Sequence, residues 1–254
     1  MPDDAARIET EARRLFDARK AGVSTDLVTD SWPDISPKQA QRIAARTLAM
    51  VGQPRCGIKL GYTSAAMRQQ MNIDRPNFGH LTKDMDFGGG VITPLIHPRA
   101  EPEIALRTAR DMVVAPTTRE NLFSLVDAVF PALEIVDTRY HDYVFRYEDN
   151  VADNSSAAGF VLGKPHGPEV LQNDGLAVSL TPEGQDSLTG HSSAAMSGPL
   201  EALAWLCHEL EASGEMLPAG FMILTGGLTS APYLELGVPV RIDFQRLGHL
   251  TFTW

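Results

Sequence analysis

The sequence predicts an α+β fold in which a small helical segment, residues 1–54, precedes a strand-rich body, residues 55–254. Three observations carry this expectation. Apolar residues among the first fifty positions recur at helical spacing. From about residue 55 the chain breaks into short apolar runs punctuated by Gly, Pro, Asn and Asp. Finally, the strand–helix alternation and GxGxxG motif of a doubly wound dinucleotide-binding sheet are both missing, and "LTGGLTSA" lacks the Lys-Ser/Thr of a phosphate-binding loop.

In "DDAARIETEARRLFDARKAG", Ile8, Ala12, Leu15 and Phe16 fall near one helical face and Gly22 supplies a stop. After the break at Trp32-Pro33, Ser36 can cap a second helix and Pro37 suits its first turn, while Ile43, Leu48 and Val51 continue an apolar stripe. The runs "CGIKLGYTS", "EIALR", "AAGFVLG", "FMILTGG", "VPVRIDF" and "GHLTFTW" are predicted strands. "TRENLFSLVDAVF" and "GPLEALAWLCHELEASG" are predicted helices, the second stopping at Gly214. No repeat, low-complexity tract or long linker intervenes, so the helical segment is expected to pack on the body.

With 254 residues, 43% of them hydrophobic, the chain can build a substantial core. A net charge of −10 without a Lys/Arg run argues against nucleic acid as a partner. The opening "MPDDAARIETEARRLF" lacks the regions of a secretion signal, and no segment approaches the ~20 apolar residues of a membrane span, so a cytoplasmic location is expected. Cys56 and Cys207 show no CxxC spacing and read as reduced, packed thiols.

Chemistry concentrates in "HPRAEPEIAL". On a strand, residues i and i+2 share a face, so Glu101 and Glu103 would crowd each other and require something positive nearby. Glu134, in the apolar run "FPALEIVDTRY", is a third acid in a place where an ionised carboxylate is costly unless paired or metal-bound. Spacing leaves two readings open: a carboxylate trio suited to Mg²⁺ or Mn²⁺, or an exposed Glu101/Glu103 face with Glu134 paired to a base such as Arg139. Lys59, between Ile58 and Leu60, reads either as a snorkelling side chain or as a partly desolvated proton carrier. Asp153, Asn154 and Ser155 read as turn residues or as a ligand-facing loop.

Taken in order, "GIKLGYTS", "RPNFGHLTKDM", "HPRAEPEIAL", "PALEIVDTRY", "VADNSSAAGFVLG", "LTGGLTSA" and "LGHLTFTW" resemble the fumarylacetoacetate hydrolase superfamily. The resemblance is closer to its branch of 2-keto-4-pentenoate (2-hydroxypenta-2,4-dienoate) hydratases and 4-oxalocrotonate decarboxylases, and runs from about residue 30 to the end. It implies a mixed β-sandwich roll, a divalent metal, Mg²⁺ or Mn²⁺, held by Glu101, Glu103 and Glu134, Lys59 beside the substrate, and a homo-oligomer. Many hydratases of the branch carry Pro-Asp-Phe-Gly or Pro-Asp-Tyr-Gly where this chain has "PNFG", so Asn77 replaces an acid and can orient a water but not accept its proton. "FGHLTKDM" resembles hydratase versions, whereas "DTRY" and "LTGG" resemble decarboxylase versions.

The leading expectation is a metal-dependent lyase that hydrates a 2-hydroxy-2,4-dienoate to a 4-hydroxy-2-oxo acid in meta-cleavage breakdown of aromatic compounds. A 4-oxalocrotonate-type decarboxylase is the alternative. An acylpyruvate hydrolase is disfavoured by the lack of a His-Glu pair upstream of the acids. A non-catalytic partner of a pathway enzyme is a reading that retention of Lys59 and all three glutamates opposes.

Overall fold

The helical stripe of the first fifty residues folds as predicted. In the computed structural model, which describes residues 4–71, 73–90, 92–116, 118–172 and 175–254, helix α1 (Asp4–Ala21) buries Ile8, Ala12 and Leu15. A single turn, α2 (Val28–Ser31), leads to α3 (Pro37–Val51). Ser36 caps α3 through a reciprocal capping box with Gln39, Pro37 occupies the first turn, and Gly52 closes the helix in the left-handed conformation at φ +72°. These helices share a core with Tyr140, Val151 and Ala152 from farther along the chain. The Asp149 carboxylate fastens the junction by accepting from Thr29 N and Thr29 Oγ1, both at 2.8 Å.

The body follows as β1 (Arg55–Gly61), α4 (Ala65–Met71), β2 (Asn77–Thr82), β3 (Arg99–Thr108), α5 (Arg119–Phe123), β4 (Val126–Val136), α6 (Tyr147–Ala152) and β5 (Ala157–Leu162). It continues with β6 (Ala177–Pro182), β7 (Leu188–His191), α7 (Pro199–Ser213), β8 (Met222–Leu224), β9 (Val240–Asp243) and β10 (His249–Phe252). One sheet has the order β2-β1-β8-β3-β4-β5 and the other β10-β9-β6-β7. The short β8 runs parallel to β1 and antiparallel to β3, joining the two halves of the larger sheet.

Strand alternation sorts the larger sheet into two faces. Ile58, Leu60, Ile104 and Leu106 enter the core shared with Leu180 and Ile242 of the second sheet, with Phe244 just after β9, and with Leu203, Leu206 and Leu210 of α7. The opposite face contributes Ala105, Phe130, Ala132 and Leu224 to a smaller core under Leu48 of α3. Lys59, Glu101, Glu103 and Glu134 belong by register to this second face.

One expectation is overturned. "TRENLFSLVDAVF" is not a single helix: α5 ends at Phe123 and the chain enters β4 at Val126. Apolar residues spaced like a helix here belong to a strand buried on both faces, and its ten-residue ladder with β3 outweighs local preference. Cys56 and Cys207 are free and buried. Among the described residues no helix is long and apolar enough to cross a membrane.

Candidate active site

The three glutamates converge because of strand register. Glu101 and Glu103 project from one face of β3, and Glu134 of β4 lies directly opposite Glu101 in the antiparallel ladder. One carboxylate oxygen from each lies within 4.8 Å of the others. Glu103 and Glu134 are fully buried, so the reading of an exposed acidic face does not hold for them. Nor does Arg139 serve Glu134: its guanidinium is engaged by Asp153.

The required positive charge is Lys59. Only 3% exposed, it cannot be a snorkelling side chain. Its Nζ pairs with Glu134 Oε1 at 3.0 Å and donates to the Ser155 carbonyl at 3.0 Å. Burial pulls the Lys59 pKa down, but Glu134, Glu101 and Glu103 together outweigh burial and raise it, so the group remains an ammonium. One ammonium does not balance three acids. Burial, reinforced by Glu134, pushes Glu101 up to about 7 against the opposing pull of Lys59 and Arg99, and burial with the neighbouring carboxylates pushes Glu103 well above the usual carboxylate range.

Two backbone features hold this arrangement. Gly226, at φ +112°, donates its N–H to Glu103 Oε2 at 2.7 Å. Beside Lys59, residues Asn154, Ser155 and Ser156 form a left-handed turn at φ +53°, +56° and +56°, a conformation costing roughly 1–3 kcal/mol per non-glycine residue unless its surroundings enforce it. They do. Asn154 Oδ1 accepts from His80 N at 2.8 Å and its Nδ2 donates to His80 O at 2.9 Å, imitating a strand partner for β2. Ser155 Oγ donates to Asn77 Oδ1 at 2.8 Å, Asn77 Nδ2 donates to Asn150 Oδ1 at 2.7 Å, and Asn150 Nδ2 donates to Ser156 Oγ at 2.9 Å.

Gly79, paired with Lys59 across β1 and β2, admits this turn: a Cβ there would stand 2.1 Å from Asn154 O. Gly79→Ala is therefore expected to lower the melting temperature by about 2–10 °C, from an overpacking cost of ~1–3 kcal/mol. An unchanged melting curve would show that the turn yields freely.

A cavity of about 580 Å³ opens above the acids. Lys59 and Glu101 form part of its wall together with Tyr62, Arg99, Tyr143 and Ser155. Asn77 does not line it: the amide lies behind Ser155 and Asn150, buried and bonded at both ends. Sequence reasoning passed over Arg99 and Asn150. The same alternation that pairs Glu101 with Glu103 also places Arg99 on their face, whereas Asn150 carried no readable signal.

Solved structures share this two-sheet roll. A fumarylacetoacetate hydrolase family protein from yeast superimposes with a TM-score of 0.54 at 16% identity, covering 80% of this chain and 94% of its own. 4-Oxalocrotonate decarboxylase from Pseudomonas putida G7, complexed with magnesium and adipate, superimposes with a TM-score of 0.88 at 27% identity over 97% of both chains. The fold is thus that of the fumarylacetoacetate hydrolase superfamily. No protein-family model matches the chain. Full-length relatives narrow the assignment. A 2-hydroxyhexa-2,4-dienoate hydratase of Comamonas testosteroni is 34% identical over 94% of each chain. A 4-oxalocrotonate decarboxylase of a Pseudomonas species is 36% identical over 97% of this chain and 98% of the relative. A 2-keto-4-pentenoate hydratase of Paraburkholderia xenovorans is 35% identical over 87% of this chain and 84% of the relative. The chain belongs to the family of 2-keto-4-pentenoate hydratases and 4-oxalocrotonate decarboxylases.

Proposed function

We propose that this chain is a metal-dependent lyase that hydrates a 2-hydroxy-2,4-dienoate to a 4-hydroxy-2-oxo acid, a step in meta-cleavage breakdown of aromatic compounds. The observation that carries the reading is the buried glutamate trio, in which Glu103 Oε1 and Glu134 Oε2 have no hydrogen-bond partner among the described residues. Bare buried carboxylate oxygens are costly, and an all-oxygen anionic donor set fits a hard divalent cation, Mg²⁺ or Mn²⁺. Glu101, Glu103 and Glu134 would hold that ion. When bound, it supplies positive charge to the carboxylate and C2 oxygen of a 2-oxo or 2-hydroxy acid. The names of the hydratase relatives and the magnesium of the decarboxylase structure support the same assignment.

Lys59 is the proton carrier in this reading. Its Nζ donates to Ser155 O and forms an ion pair with Glu134 Oε1, and the side chain lines the cavity with donor capacity to spare. It gives a proton to C5, the far carbon of the dienol, while the 2-hydroxyl releases its own proton to solvent and an α,β-unsaturated ketone forms; water then adds its hydroxyl at C4 and returns its proton to Lys59, and a solvent proton on C3 completes the 4-hydroxy-2-oxo acid. The Ser155 carbonyl fixes the ammonium's position. Asn77 acts through the turn, holding Ser155 and Asn150 at the wall where they can orient that water.

Residues 55–254 form the catalytic domain in this reading and residues 1–54 a helical segment packed beside it. The reading carries with it a cytoplasmic homo-oligomer able to associate with a neighbouring pathway enzyme.

One observation favours the decarboxylase as a second reading. An amide at position 77, bonded at both ends, supplies no acid to activate water, and loss of CO₂ needs none. The test is product analysis with a monocarboxylic dienoate and an oxalocrotonate-type diacid, for wild type and for Asn77→Asp. If the reaction is hydration, the restored acid accepts from Ser155 Oγ at the cavity wall and can draw a water's proton through that hydroxyl, and kcat/KM on the dienoate holds or rises. If it is decarboxylation, the new anion weakens diacid binding. A wild type that acts only on the diacid, with CO₂ release, overturns the hydratase reading.

A further inference from the structure

The end of β4 carries a buried ion pair that the proposed reaction does not use. Arg139, three residues past the strand, and Asp153, just before the left-handed turn at Asn154, Ser155 and Ser156, are 6% and 3% exposed. Arg139 Nε donates to Asp153 Oδ1, while Asp153 Oδ2 accepts from Arg139 N at 3.0 Å and from Thr138 Oγ1 at 2.9 Å. Neither residue belongs to the cavity wall, so the pair meets no substrate. Its reach lies elsewhere. The same guanidinium donates from Nη2 to Asp153 O, and from Nη1 to Asp137 O at 2.7 Å and Ala157 O at 3.2 Å.

Asp153 O and Ala157 O are the carbonyls on either side of the three left-handed residues. One planar, rigid fork therefore spans the turn and holds both of its ends, and Asp137 N closes it further by donating to Ser156 O at 2.9 Å. Midway between the two held carbonyls, Ser155 O accepts from Lys59 Nζ. The other anchor of the ammonium, Glu134 Oε1, stands on β4 five residues before Arg139. Both contacts that direct Lys59 are thus referred to one stretch of chain, Glu134 directly and Ser155 through the guanidinium.

We infer that Arg139 is a positioning residue for the proton carrier: by gripping Asp153 O and Ala157 O it fixes the turn, and through Ser155 O it sets where the Lys59 ammonium points. The inference rests on the role proposed for Lys59. Proton transfer demands this precision, because a reacting group misplaced by about 1 Å can lose roughly 10²-fold in rate. A lysine at position 139 would keep a positive charge opposite Asp153 but lose the fork that spans two carbonyls.

The test is a double-mutant cycle against Lys59→Met on the full chain. kcat and KM are measured at saturating Mg²⁺ on whichever of the monocarboxylic dienoate and the oxalocrotonate-type diacid wild type consumes. Arg139→Lys is expected to lower kcat by about 10- to 100-fold while KM stays within about threefold, because the glutamate trio is untouched. Asp153→Asn, whose amide nitrogen must face Arg139 Nε, Arg139 N or Thr138 Oγ1, all of them donors, should lower kcat in the same direction. It carries the cycle if the lysine variant does not fold. In the Lys59→Met background neither substitution should lower kcat further. Thr138→Val removes one bond to Asp153 and leaves the guanidinium in place, so it should lower the melting temperature with kcat unchanged. A folded Arg139→Lys or Asp153→Asn with wild-type kcat, losses that multiply with that of Lys59→Met, or a kcat that falls with melting temperature across all three variants would overturn the inference and leave Lys59 standing. Wild-type turnover by Lys59→Met alone would remove the proton carrier, and the inference with it.

Discussion

Glu103→Gln is expected to cut turnover by at least ~10³-fold, equivalent to roughly 4 kcal/mol of lost transition-state stabilisation, while the protein stays folded. The amide oxygen still accepts from Gly226 N, so the local backbone bond survives. What disappears is one anionic ligand from a trio whose oxygens converge within 4.8 Å. Removing that charge also relieves repulsion, because burial and the neighbouring carboxylates already push the Glu103 carboxyl far above its ordinary range. In the absence of metal the variant should therefore be at least as stable as wild type. Titrating Mg²⁺ while following thermal unfolding separates the two proteins. At about 100 times its dissociation constant, a bound ion stabilises wild type by ~2.7 kcal/mol, or roughly 5–10 °C for a chain of this size. The variant should show little of that shift. A Gln variant with wild-type turnover and an undiminished Mg²⁺ response would remove Glu103 from the metal site.

Lys59→Met should slow turnover by at least ~10²-fold, the scale of a lost proton-transfer group, and should also cost stability. The ammonium is the pairing partner of a fully buried Glu134, and breaking a buried pair by deleting one member costs roughly 3–5 kcal/mol. A divalent ion can neutralise the stranded carboxylate, so Mg²⁺ is expected to restore much of the stability of Lys59→Met. It cannot restore the proton. The informative outcome is the divergence of two curves across a Mg²⁺ titration, with melting temperature recovering and turnover remaining low. If turnover recovered together with stability, Lys59 would be a counter-ion for the metal-free protein and nothing more.

What could be read beforehand follows how local each feature is. The cap at Ser36 and Pro37 and the stop at Gly22 involve neighbours in sequence, and their chemistry does not depend on the rest of the fold. The shared face of Glu101 and Glu103 follows from strand periodicity alone. Arg99 follows from the same rule, since two residues before Glu101 it shares the face of the acids. Beyond that range, legibility fails. The pairing of Lys59 with Glu134 requires β8 to enter between β1 and β3, which no periodicity announces. The misassignment of the start of β4 has a related cause: strands buried on both faces lose their alternation. Ser155 was recognised as a turn residue, but the carbonyl it offers Lys59 depends on a left-handed turn enforced by His80, Asn77 and Asn150 from two other segments.

The position of β8 also governs the order in which the chain can be made. Strands β1 to β5 leave the ribosome as two incomplete ribbons, β2-β1 and β3-β4-β5, each with an open inner edge. Roughly 60 further residues separate the end of β5 from the three-residue strand that joins them, so at ~5–20 residues per second those edges wait about 3–12 s for closure. Unpaired edges recruit other chains. During this interval the nascent protein is most exposed to edge-to-edge association, and a ribosome stalled before Met222 holds a product whose lysine and glutamates have no sheet to bring them together.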